Sequence, residues 1–201
     1  MPNHVTNILT ISGPSDLVAK VKSEISSIYK EDGEQIHLYI DFHKIAPLPE
    51  ELKGTTSPTR IISQEDYDKQ EARGITQEMS KRFTKEYGYD NWYDWQRNAW
   101  GTKWNAYSQN DMENGDIKFE TAWSTPFNLI LLLSKKYPEA EFKVQFADED
   151  FGHNVGEYVC KAGEEIDEHL PKGGSHEAYM MAAEIMNDWD YLVQRVEMRT
   201  R

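Results

Sequence analysis

Two short tryptophan signatures constrain the fold of this chain more than any other feature: Trp100-Gly101-Thr102-Lys103-Trp104-Asn105 and Thr121-Ala122-Trp123-Ser124-Thr125-Pro126. Each stands where one regular element gives way to the next. Gly101 closes an aromatic-rich helical stretch, where a residue free to adopt positive φ ends a helix at little cost. From Lys103 the pattern turns strand-like, which predicts a strand over 103–108 with Trp104, Ala106 and Ser108 on one side. Residues 109–116 carry turn chemistry, and Asn114-Gly115 is a strong hairpin dipeptide. A second strand over 117–123 places Ile117, Phe119, Thr121 and Trp123 on one face. Ser124 or Thr125 then caps a helix over 126–137 whose first residue is Pro126, and Pro138 stops it. That helix is apolar almost all round, so it is expected sandwiched between layers. Paired strands set tryptophans across from one another or diagonally, so Trp104 and Trp123 are expected buried, adjacent and structural.

The remaining segments complete an α+β pattern. A strand is predicted over 4–12, then a helix over 14–30 with Leu17, Val18, Val21, Ile25 and Ile28 on one stripe. Ile36, Leu38, Ile40 and Phe42 alternate through a strand over 36–45. Residues 46–100 read as a mostly helical insertion. Ser63 with Asp66 forms a capping box, Thr76 and Asn91 cap later helices, and Gly74 and Gly88 end them. Strands follow over 141–147 and 155–161, and an amphipathic helix begins near Ser175 with Tyr179, Ala182, Ala183, Met186 and Trp189 on one face. Whether 190–201 extends it or adds an edge strand stays open. The expected architecture is an antiparallel sheet with helices on one face, its halves at 1–45 and 101–201 flanking the insertion at 46–100.

The W-G-T-K-W-N run, a short hairpin, and T-A-W-S-T-P opening a helix together resemble the Api-like family of phage and mobile-element proteins. Met1-Pro2-Asn3-His4-Val5-Thr6-Asn7, Ile11-Ser12-Gly13-Pro14 and Ile45-Ala46-Pro47-Leu48-Pro49-Glu50-Glu51-Leu52 resemble the same family, so the likeness runs from the first strand to about Phe151. The resemblance implies a ferredoxin-like domain and a phage, prophage or conjugative-element setting. It implies no established activity, so function has to be sought in the residues.

Four residues, His37, Tyr39, Asp41 and His43, point opposite the apolar side of the strand expected at 36–45. Same-face neighbours on a strand lie about 7 Å apart, so they make a poor metal site without help from another strand. No HExxH, CxxC, calcium loop, G-x-S-x-G elbow or phosphate loop accompanies them, and no metal or cofactor is expected. Trp92, Trp95, Trp100, Trp104 and Trp123 can pack the core and the insertion or line a ligand pocket, with Lys103 as its charged group. Cys160 is the one cysteine; its strand-like surroundings read as a buried thiol, and an internal disulfide is excluded.

Charge separates the remaining functions. The chain has 22 basic and 35 acidic residues, a net −13. Between Glu139 and Asp190, 14 acidic residues face only Lys143, Lys161 and Lys172. Phosphate contact needs a basic footprint, so nucleic-acid binding and adhesion to an anionic membrane are disfavoured. Asp148, Glu149, Asp150, Glu157, Glu164, Glu165, Asp167 and Glu168 flank turns at Gly152 and Gly163 and are expected exposed. They serve solubility or meet a basic protein partner. The longest apolar run, Leu129 to Leu133, is far below the ~20 residues of a membrane span, and the polar amino terminus resembles no signal segment. The expectation is a non-enzymatic interaction protein in the cytoplasm of a bacterial host; the alternative is a ligand-binding protein or enzyme using the tryptophans.

Overall fold

The computed structural model describes residues 3–31 and 33–192. Its main sheet has six antiparallel strands in the order β4-β5-β1-β6-β7-β8, with β1 (His4–Ser12), β4 (Tyr107–Asp111), β5 (Ile117–Ala122), β6 (Glu141–Asp148), β7 (Val155–Lys161) and β8 (Glu164–His169). The first strand is central, pairing Val5 with both Thr121 and Asp148. Its alternation splits the molecule: Val5 and Leu9 enter the main core, while Ile8 faces a second cluster on the other side.

Two helices, α1 (Ser15–Ile25) and α6 (Phe127–Lys136), cover the first face through Val21, Ile25, Leu129, Ile130 and Leu133. The opposite face is covered in part by α7 (His176–Met186), whose Ala178, Tyr179, Ala182, Ala183 and Ile185 pack on Ala147, Phe151 and Val155. Helices therefore lie on both faces, not one. Nor is α6 sandwiched: Leu129, Ile130, Leu133 and Ser134 are buried while Leu132 is exposed. Ser175 caps α7 as its sequence suggested, but Trp189 lies exposed beyond its end. The open question about 190–201 falls mostly outside the described residues.

The amino-terminal half departs most from expectation. The helix over 14–30 stops at Ile25, and β2 (Ser27–Glu31) pairs with β3 (Glu34–Leu38) in a separate hairpin. No strand runs on to residue 45; the chain turns into the short α2 (Phe42–Ile45), and Ile40 and Phe42 enter the core from that turn. Tertiary hydrogen bonds hold this path. Asn105 Oδ1 accepts from the backbone N–H groups of Phe42 and Ala106 at 2.8 and 2.9 Å, while its Nδ2 donates to Asp41 at 2.9 Å. Gln109 accepts from Ile40 N and donates to Ile40 O, both at 2.9 Å. Asn105 lies in the stretch expected to begin the next strand, yet β4 starts at Tyr107, and 109–111, expected as turn, are strand. Asn105→Ala orphans two backbone donors and removes one of the two donors to Asp41 Oδ1, which keeps His43 N, and a loss of about 1–3 kcal/mol in urea unfolding is expected.

The insertion follows its punctuation except at Gly74, because its first helix already ends at Lys69 with Gln70 in the left-handed region. It contains a 3-10 turn at Glu50–Leu52, then α3 (Gln64–Lys69), α4 (Gln77–Tyr87) and α5 (Trp92–Trp100). Ser63, Thr76 and Asn91 each accept the N-cap hydrogen bond, and Gly88 and Gly101 close helices in the left-handed region. Leu52, Ile75 and Phe83 form a small core there, and Trp95 packs on both this core and the main one.

Candidate functional site

The two tryptophan signatures are bonded to each other. Thr102 Oγ1 donates to Ala122 O at 2.7 Å, and Ser124 Oγ donates to Gly101 O at 2.5 Å. Thr121 Oγ1, buried, accepts from Asn7 at 2.9 Å and donates to Ser124 O at 2.8 Å. A Cβ on Gly101 would lie 3.3–3.4 Å from Phe127 N, Asn128 N and Thr125 O, a tight fit against the start of α6 on top of the left-handed φ of +83°. Trp100 is fully buried, with Nε1 donating to Ala46 O at 2.8 Å. It belongs to the core and lines no ligand site.

Trp104 and Trp123 were expected buried and are not: they remain 39% and 41% exposed. The reason for Trp123 is backbone geometry. It lies just past β5 with φ of +71°, which takes it off the strand's core-facing alternation. The two indoles are neighbours nonetheless, because Lys103 Nζ lies over both, 4.6 Å from the Trp104 ring and 4.9 Å from that of Trp123. Tyr93 of α5 adds a third face at 5.9 Å and meets Trp123 edge-on at 87°. Each such contact contributes about 0.5–1 kcal/mol at an exposed site. Among the described residues Lys103 has no carboxylate partner. Arg97 covers Tyr93 as well, at 5.7 Å. Sequence reading named Lys103, Trp104 and Trp123 but missed Tyr93, whose helical position carried no signal of its place beside them.

The row His37, Tyr39, Asp41 and His43 is not a row. His37 and Tyr39 lie 4.3 Å apart with their rings tilted by 38° beside an open groove, and His43 packs edge-on to Trp100 at 5.0 Å. Asp41 is buried, caps α2 and accepts from Ser27 at 2.7 Å, so its carboxylate is consumed by structure. Among the described residues no group of three or more His, Cys, Asp or Glu is placed to hold a metal ion. A different titratable group does assemble: His4 Nδ1 meets Tyr107 Oη at 2.7 Å and lies 3.9 Å from Glu120. Burial, then the charges of Glu120 and Glu149, push the Tyr107 hydroxyl up to about 12, so it stays protonated at neutral pH. Cys160 is buried and burial pushes its thiol up to about 11, which makes it a poor nucleophile.

The acidic residues divide. Asp148, expected exposed, is 4% exposed, and three donors make that burial tolerable: Asn3 Nδ2, Asn154 Nδ2 and Asp150 N at 2.9–3.0 Å. Glu157 is half-buried against Lys143 and Gln145. Glu149 and Asp150 are exposed, as are Glu164, Glu165, Asp167 and Glu168. These last four follow the turn at Gly163 and form β8, an edge strand paired with β7 alone.

Sheet order, pairing and helix placement define the class as an α+β protein with a ferredoxin-like domain. Residues 100–188 match the family model described as the ferredoxin-like domain in Api92-like protein. The match begins at Trp100 and takes in both tryptophan signatures and all strands from β4 to β8; the amino-terminal likeness lies outside it. A solved structure, the protein api92 from Yersinia pseudotuberculosis, is similar at 10% identity and a TM-score of 0.43, covering 87% of this chain and 100% of that one. No curated protein matches the chain. Among the described residues no helix is long and apolar enough to cross a membrane.

Proposed function

We propose that this protein is a non-enzymatic accessory protein of a phage, prophage or conjugative element that acts in the bacterial cytoplasm by binding a basic host protein along β8. One observation carries the reading: β8 is exposed at every residue from Glu164 to His169, and its four carboxylates have no cationic partner among the described residues. An open edge offers backbone groups to an added strand, and like charge turns away a second copy of itself. Opposite charge draws in a basic segment.

The test replaces Glu164, Glu165 and Glu168 with glutamine and Asp167 with asparagine. Capture of a basic protein from host lysate, identified by mass spectrometry, is expected for the natural chain, to weaken as salt rises, and to be lost in the variant. The variant should fold with equal or slightly greater stability at low salt, because repulsion along the edge is removed. Equal capture by both chains would leave β8 as a solubilising edge.

A second reading, ligand binding at the tryptophans, is favoured by a separate observation. Trp104 and Trp123 project half-exposed from a frame whose other members are locked by hydrogen bonds.

A further inference from the structure

Of the clusters in the molecule, the aromatic one around Lys103 has the geometry closest to a built site. Three rings of different elements present their faces to a single ammonium, with Tyr93 and Trp123 standing nearly perpendicular as adjacent walls. That is the arrangement by which proteins hold alkylammonium ligands, since each ring face offers negative quadrupole potential and none offers a competing hydrogen bond. The walls are rigidly placed. Tyr93 lies on α5, Trp104 is flanked by the hydrogen-bonded Thr102 and Asn105, and Trp123 N donates to Asn3 O at 2.8 Å. Charge around the cage is mixed: Arg97 covers Tyr93 at 5.7 Å, while carboxylates lie in the turn behind Trp123. Asn154 Nδ2 bonds both Trp123 O and Asp148, tying one wall to the turn where Glu149 and Asp150 are exposed.

We propose that Tyr93, Trp104 and Trp123 form an alkylammonium-binding cage that Lys103 of the same chain occupies in the free protein, and that a lysine side chain of a protein partner displaces it. Lys103 is the resident plug. It makes no hydrogen bond or ion pair among the described residues, so only ring contacts hold it and it can swing out into solvent. This inference rests on the second reading above and is independent of β8; either can fail alone.

The test follows the indole N–H signals of Trp104 and Trp123 by NMR during titration with tetramethylammonium chloride or with N-acetyl-lysinamide, against sodium chloride at equal ionic strength. Lys103→Met empties the cage while keeping an apolar stem over the rings. A tethered competitor acts at an effective concentration in the millimolar range, so this variant is expected to bind both probes about tenfold more tightly than the natural chain. Adding Trp123→Ala to Lys103→Met should abolish the effect, and the buried Trp100 signal should not move. Binding of tetramethylammonium alone would support the cage but overturn the lysine ligand in favour of a small quaternary ammonium. Absence of saturable shifts with either probe in folded Lys103→Met, or unchanged binding when Trp123 is removed, overturns the cage itself. Lys103→Gln, which also removes the charge, gives the same reading should the methionine variant fold poorly.

Discussion

Trp100→Ala is expected to lower the free energy of unfolding by about 3–5 kcal/mol, the range for removing a large buried aromatic ring. The ring is fully buried, meets Phe42 and Trp95 edge-on, and donates from Nε1 to Ala46 O. Those contacts join the insertion to the main core, so the loss should appear in both. Trp100→Phe keeps most of the packing and forfeits the hydrogen bond, which calls for a loss of about 1–2 kcal/mol. Trp123→Ala is the contrast, because a half-exposed ring leaves no sealed cavity when removed. Denaturant unfolding of the three variants tests the order, and a loss for Trp123→Ala as large as that for Trp100→Ala would falsify this division between core and surface tryptophans.

Gly152→Ala is expected to be nearly as damaging. Gly152 has φ of +80° in the turn between β6 and β7, and a Cβ there would fall inside the ring of Tyr179. Left-handed geometry costs a non-glycine residue about 1–2 kcal/mol, and forcing apart a packed contact about 1–3 more. For a chain of this size the sum corresponds to a fall in melting temperature of roughly 4–20 °C. Damage should concentrate where α7 meets the sheet, since Tyr179 and Phe151 stack there at 18°. Hydrogen exchange resolved by residue should show α7 amides losing protection before those of β1. Unchanged stability would mean that Tyr179 has room to move.

Much of this fold was legible because its signals are local. Ser63, Thr76 and Asn91 cap the helices they precede, and Gly88 and Gly101 take the left-handed conformation their positions implied. The four strands β1, β5, β6 and β7 follow their alternation to within about a residue. Elsewhere the deciding interactions come from distant parts of the chain. Ile36 to Phe42 alternates like one strand, yet Asn105 and Gln109, more than 60 residues away, bind Ile40, Asp41 and Phe42 and bend the path. The segment Glu164–His169 is polar and carries no apolar alternation, so nothing local marks it as the edge strand that pairs with β7. At the candidate site, Lys103, Trp104 and Trp123 lie together as their place in the signatures implied, but both rings are half-exposed where burial was expected. A single backbone angle at Trp123 marks the difference, and no residue pattern announces it.

The bonds between the two tryptophan signatures also bear on the order in which the molecule assembles. They join residues only 20 and 23 positions apart, whereas the side-chain bond fastening Asn3 to Asp148 spans 145. Closing a short loop sacrifices less chain entropy than closing a long one, so the early nucleus is expected within the α5-to-α6 segment, with β1 threading last into the gap between β5 and β6. On that schedule the central strand of the finished sheet is its final arrival, and a slow or weakened β1 leaves two neighbouring strand edges unpaired while the chain waits.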